Sequence, residues 1–233
     1  MGDGRAVSGR RTLQRGGARN RADRESTQLT ERQCRSLIAA SGAAWAAGTP
    51  FNRFVTLAWG KSGLTPMQGR AATSSWVALA RAWIGAHSYA PPWAWVQEFG
   101  PKFGAHSHLL IHLPPELAAI KGQRFARWAR KVVADLGGSY QTGTIDTRSI
   151  HCSHCADIAP DAYRAALLAK VHYMLKAAPA ALEGQLGMIG RGPKPWGQHS
   201  LVYGKRLAIW QGWQKAGGRE SFRADLLGER DDS

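Results

Sequence analysis

Acidic residues are scarce in this chain, cysteines scarcer, and long apolar runs are missing. Asp and Glu number 16 against 31 Lys and Arg, a formal net charge of +15 at pH 7 over 233 residues. That imbalance argues against a basic partner and suits a polyanion, with nucleic acid ahead of an anionic membrane surface. Three cysteines are an odd, sparse count, which argues against a disulfide scaffold and for a reducing, cytoplasmic compartment. The most apolar stretches, such as Ala162–Ala169 and Val132–Leu136, are interrupted or flanked by Lys, Arg or Asp well before the ~18 uncharged residues of a bilayer span, so no membrane partner is expected. Met1 to Arg24 is Arg- and Gly-rich with no apolar h-region, so no secretory signal is read there.

What is present is a 44% hydrophobic composition, enough for one real core and too much for a disordered polycation. Residues 1–27 have almost no aliphatic side chains and read as a flexible basic arm. The folded domain is expected over 28–182, and 183–233 reads as a basic C-terminal extension rich in Gly, Pro and Trp. Glu31–Gly48 has helical apolar spacing, and Arg53–Trp59 is a β-branched and aromatic strand. Thr65-Pro66 caps a helix ending near Gly85. Pro91-Pro92 restarts extended structure at Trp93–Phe99, and Gly100–Gly104 turns the chain into Ala105–Leu113, which predicts a hairpin. Gln123–Leu136 is an amphipathic helix with a basic flank of Arg124, Arg127, Arg130 and Lys131; Ser139–Ile150 reads as a strand and Asp161–Ala178 as a helix stopped by Pro179. This order predicts an α+β, ferredoxin-like (palm or RRM-like) antiparallel sheet with helices on one face and the other face open to ligands.

Period-two alternation puts His106, His108, Leu110 and His112 on one side of their strand and Ser107, Leu109, Ile111 and Leu113 on the other. The apolar set must meet the helices, so the histidines take the open face. His106 and His108 then stand ~7 Å apart along the strand, close enough to converge on one ion, with His112 too far along. A turn about Lys102 brings Glu98 opposite His106 on the same face. Two imidazoles and a carboxylate suit Mn2+ or Mg2+ acting as a Lewis acid on phosphate more than a closed zinc site. His-x-His alone is ordinary surface chemistry, and it gains weight from a second element. Tyr173 and Lys176, with Lys170 one turn earlier, share a helix face, and a cation is what a tyrosine nucleophile needs at neutral pH. Tyr-x-x-Lys alone is generic, and a core tyrosine is its ordinary explanation.

Taken together, Phe54-Val55-Thr56-Leu57, Glu98 ahead of Ala105-His106-Ser107-His108-Leu109-Leu110-Ile111-His112-Leu113-Pro114, and Tyr173-Met174-Leu175-Lys176 resemble the three ordered motifs of the HUH endonucleases. More narrowly, they resemble the one-tyrosine initiators of rolling-circle replication. The resemblance implies a divalent-metal-dependent nickase of single-stranded or hairpin origin DNA in a bacterial or phage-infected cell. It implies His106, His108 and Glu98 as metal ligands and Tyr173 as the nucleophile that leaves a 5′-phosphotyrosyl link and a 3′-OH. Lys176 would position or activate the tyrosine. Ser107 departs from the family's hydrophobic residue between the histidines, and no second tyrosine stands near Tyr173. A transposase or relaxase with the same chemistry, or a cleavage-dead DNA-binding repressor of the same fold, are the alternatives.

Gly60-Lys61-Ser62 echoes the end of a P-loop, but Val55 stands where the first glycine is required, so a separate helicase and the host polymerase are expected as partners. His151-Cys152-Ser153-His154-Cys155 has zinc-type ligands without a distant pair to complete a tetrahedral site, and reads better as a loop. Further DNA contacts are expected from Arg124, Arg127, Lys131, Lys170, Lys205 and Arg206, and from Trp196, Trp210 and Trp213 beside Arg191 and Lys194.

Overall fold

Two Thr-x-x-Gln boxes decide where the long helices begin. In the computed structural model, which describes residues 24–121, 123–154, 157–188 and 201–214, Thr30 caps α1 (Glu31–Ala46) and Thr65 caps α2 (Pro66–Gly85). Each threonine hydroxyl accepts from the backbone N–H of its N3 residue, and the Gln33 or Gln68 side chain returns a bond to the cap N–H. Between them runs β2 (Arg53–Leu57), followed by a 3-10 turn at Trp59–Ser62. After α2 come β3 (Trp93–Gly100), β4 (Gly104–Ile111), a short α3 (Pro115–Ile120), α4 (Arg124–Asp135), β5 (Ile145–Ser149) and α5 (Pro160–Met174). The expected strand at 139–150 is thus confined to its second half.

The main sheet has five strands in the order β5-β2-β4-β3 and then β7 (Leu207–Ile209), and every neighbouring pair is antiparallel. Its first four strands, with α2 after β2 and α4 after β4, give the α+β ferredoxin-like arrangement that the element order predicts. Val55, Leu57, Trp95, Leu109 and Ile111 pack against α2 and α4, where Trp76 and Phe125 are buried. The other face is not left open. Phe54, Ala94, Val96 and Leu110 are roofed by α1 and α5, through Leu37, Ile38, Tyr163, Leu167 and Val171. The reason lies in α5 itself: Tyr163, Leu167, Val171 and Met174 form an apolar stripe that must leave water, and the second sheet face is the surface available to it.

Both flanking segments add to this frame. β1 (Glu25–Ser26), from the end of the expected arm, pairs with β6 (Val202–Tyr203), and β7 extends the main sheet beside β3. Arg206 lies between β6 and β7, is only 2% exposed, and donates from Nε to Ser26 Oγ at 3.0 Å and from its terminal nitrogen to the Ser26 carbonyl. Burial pushes its guanidinium down to about 10. The expectation that Arg206 contacts DNA is therefore corrected: it holds β1 to the sheet from inside. Among the described residues, no helix is long and apolar enough to cross a membrane.

Candidate metal centre and its tyrosine

The hairpin register builds the centre. Gly100 pairs with Gly104, Glu98 with His106 and Val96 with His108. Gly104 has a φ of +59°, which suits a residue without a Cβ at the turn exit. Alternation then sends Glu98, His106 and His108 to the α5 side. Ser107 points to the opposite side, where its hydroxyl lies 2.7 Å from Thr73 Oγ1, itself an acceptor from Trp59 Nε1 at 2.8 Å. The polar residue between the histidines thus ties their strand to α2, so the departure from a hydrophobic residue leaves no hydroxyl unpaired.

Glu98, His106 and His108 are all buried, and their ligand atoms lie within 4.8 Å of one another. Glu98 Oε2 is 3.1 Å from His106 Nε2 and 3.7 Å from His108 Nε2. His106 Nδ1 stands 2.9 Å from the Gly104 carbonyl, which can only accept, so Nδ1 carries the proton and Nε2 is turned toward the carboxylate. A bare lone pair facing Glu98 Oε2 would repel it; a proton or a metal ion must lie on that line. His108 Nδ1 is 3.1 Å from Thr56 Oγ1, which again leaves Nε2 for the centre. Glu98 Oε1 and His108 Nε2 are buried without a hydrogen-bond partner. Burial would by itself raise the Glu98 carboxyl, but the His106 hydrogen bond and the neighbouring positive groups outweigh it and hold it down at about 2. Burial pushes the His108 imidazole down to about 3. An ionised carboxylate and a neutral imidazole are the forms that ligate, and with the two orphaned atoms they fit a metal ion.

Tyr173 sits in the last turn of α5, 37% exposed, with its ring centroid 4.9 Å from that of His108. Phe54 stacks on His108 at 5.4 Å and meets Tyr173 edge-on at 6.0 Å, so one ring of β2 orients both groups. The helix ends at Met174 and not near Ala178 as expected. Lys176 therefore lies past the helix end. Its Nζ is 2.5 Å from Glu98 Oε2 and 4.2 Å from the Tyr173 ring centroid. The five residues that the motifs single out form one contact set, though the lysine reaches it from the turn after α5.

The expected DNA contacts divide. Lys170 is over the Phe54 ring at 5.3 Å, next to the centre. Arg124, Arg127 and Lys131 are exposed on α4, on the far side of the sheet from Tyr173; Arg124 lies over Trp83, and Lys131 pairs with Asp135 at 3.0 Å. Lys205 is exposed. Trp210 is half-buried and packs edge-on to Phe51 at 6.0 Å against the core. Arg191, Lys194, Trp196 and the Trp213 side chain lie outside the described residues, as does Cys155 of the Cys/His pentapeptide. Among the described residues, Glu98, His106 and His108 are the only group of three ligand-type side chains close enough to hold an ion. Sequence reasoning missed Thr56 as the partner that orients His108. Its signal is the β2–β4 register, Thr56 opposite His108, which no local pattern supplies. No family model, curated protein or solved structure matches this chain.

Proposed function

We propose that this chain nicks single-stranded DNA by transesterification at Tyr173, in the manner of the HUH replication initiators that its motifs resemble. The observation that carries the reading is the convergence of a buried Glu/His/His group with an accessible tyrosine and a lysine, contributed by β3, β4 and the end of α5. The net charge of +15 supports a polyanionic substrate. A divalent ion held by Glu98, His106 and His108, Mn2+ or Mg2+ by the hardness of the donor set, would supply Lewis-acid polarisation of the scissile phosphate.

The chain's own residues do the rest. Tyr173 Oη attacks phosphorus; the Oη–P bond forms and the P–O3′ bond breaks, which leaves a 5′-phosphotyrosyl link and a 3′-OH. The phenol proton passes to water, and the departing 3′ oxygen takes one from it. The Lys176 ammonium beside the ring stabilises negative charge as it develops on the phenol, and Phe54 holds the ring against His108. Unwinding and synthesis from the 3′-OH fall to a separate helicase and polymerase.

The test is incubation with labelled single-stranded oligonucleotides, including hairpins, and Mn2+. A denaturation-resistant protein–DNA adduct that EDTA suppresses and Tyr173→Phe abolishes is the expected result. Tight binding with no adduct across that pool would overturn the nickase in favour of a DNA-binding repressor of the same fold.

A further inference from the structure

The Gly60-Lys61-Ser62 segment has no place in the chemistry above, and its surroundings give it one. The 3-10 turn at Trp59–Ser62 presses directly on the hairpin tip. A Cβ at Gly60 would lie 2.4 Å from the Phe103 carbonyl oxygen and 2.7 Å from Gly104 Cα, so only glycine lets the two backbones meet. On its other side the turn is held by Ser62, whose Oγ is 2.7 Å from Thr144 Oγ1 and whose carbonyl accepts from Ser139 N–H at 3.1 Å. Lys61, fixed between these anchors, is exposed and stands over the Phe103 ring at 5.2 Å. Lys102, also exposed, stands over the same ring at 5.2 Å. Among the described residues neither ammonium has an ion pair, so two like charges gather on one ring with no acid to offset them. Phe103 in turn meets His106 edge-on at 5.5 Å. On the opposite flank of the centre Lys170 stands over Phe54, which stacks on His108. Positive charge and aromatic rings thus continue on both sides of the metal ligands.

We infer that Lys61, Lys102 and Phe103 form a binding subsite for the DNA strand on one side of the scissile phosphate. The two ammoniums hold backbone phosphates, and the Phe103 ring offers a face or edge to a base. The choice of DNA as the occupant rests on the nickase reading; the presence of an anion-binding aromatic platform at the hairpin tip does not. A single strand fits better than a duplex, because an aromatic platform beside paired lysines engages bases that are free to unstack. The subsite also explains why a glycine and a lysine stand in sequence between β2 and α2 without the rest of a nucleotide-binding loop.

The experiment uses the full chain carrying Tyr173→Phe, so that binding is read without cleavage, with a fluorescent oligothymidine and a matched duplex across a salt series. Adding Lys61→Gln with Lys102→Gln should weaken single-strand binding at least tenfold at low salt. It should also reduce the salt slope by about 1.4, the release expected for two phosphates of a single strand. Phe103→Leu, which keeps bulk at a half-buried position, should weaken it roughly tenfold with the slope unchanged. Arg124→Gln with Arg127→Gln, on the other side of the sheet, should change single-strand binding less than threefold, and thermal unfolding checks that all variants fold. Unchanged affinity and slope in the Lys61/Lys102 variant, or a loss equal to that of the Arg124/Arg127 variant, overturns the subsite. Adduct formation by protein with Tyr173 intact is scored in parallel. An adduct formed by the Lys61/Lys102 variant at the parent's rate and with the parent's affinity sinks the subsite alone, and a patch-dependent affinity without an adduct sinks the nickase alone.

Discussion

At the scale of single residues, the centre is held in its ligating protonation state by burial and by a few directed partners. That has a consequence for the metal-free protein in acid. A histidine takes up its proton near 6.5 in an unfolded chain, whereas burial keeps His108 deprotonated down to about 3. Between those values the unfolded state binds more protons, so stability falls as pH falls. Glu98, held at about 2 against an ordinary 4.5, has the same sign lower down: its contribution is present above 4.5 and is lost as pH drops toward 2. His112, lowered by burial with Nδ1 2.7 Å from the Pro50 carbonyl, adds in the same direction. In EDTA the urea midpoint should therefore decline steadily from pH 7 to pH 4. His108→Gln should make that decline shallower. A midpoint that does not move with pH, or a slope that His108→Gln leaves untouched, would show that burial does not hold the imidazole neutral.

At the scale of elements, the contact between the Trp59–Ser62 turn and the hairpin tip is backbone against backbone, with no flexible side chain to absorb a change. Gly60→Ala should cost about 2 kcal/mol in urea unfolding, as overpacking of a closed contact does, and a variant as stable as the parent would mean that the tip gives way freely. The same hairpin was the most legible part of the chain. Pro91-Pro92, Gly100 to Gly104 and Pro114-Pro115 punctuate it, and alternation alone puts Glu98 and both histidines on one face. The end of α5 was less legible. Pro179 marks where a helix must stop, but the chain leaves the helix at Leu175, and it is this departure that lets Lys176 turn back to Glu98. The covering of the second sheet face was not legible at all. The stripes on α1 and α5 reveal that each buries something, and only long-range packing decides against what. Charge was legible in sum and not in place: of the basic residues expected at DNA, Lys170 stands by the centre, Arg124, Arg127 and Lys131 stand across the sheet, and Arg206 is interior.

At the scale of the whole molecule, Arg206 joins two distant segments to the site-bearing strand. Its backbone carbonyl accepts from Gln97 N–H at 2.7 Å, and its guanidinium holds Ser26. Arg206→Leu removes the buried charge but leaves the Ser26 carbonyl without that donor. Stability should fall by about 2 kcal/mol, and limited proteolysis should cut near residues 24–28 before the parent is cut anywhere in that stretch. Equal proteolysis of the two proteins would mean that β1 is secured by its pairing with β6 alone.

The fifth strand of the sheet carries a consequence for the timing of synthesis. β3, which holds Glu98, has β4 on one edge and β7 on the other. A ribosome has therefore made both histidines, the glutamate and Tyr173 well before Leu207–Ile209 leaves the exit tunnel. Until then the nascent chain has every residue of the proposed chemistry beside an unpaired backbone edge, the kind of edge that recruits strands from other chains. A product terminated before Leu207 would keep that edge, so β7, made after every residue of the proposed chemistry, is what shields the strand that carries Glu98.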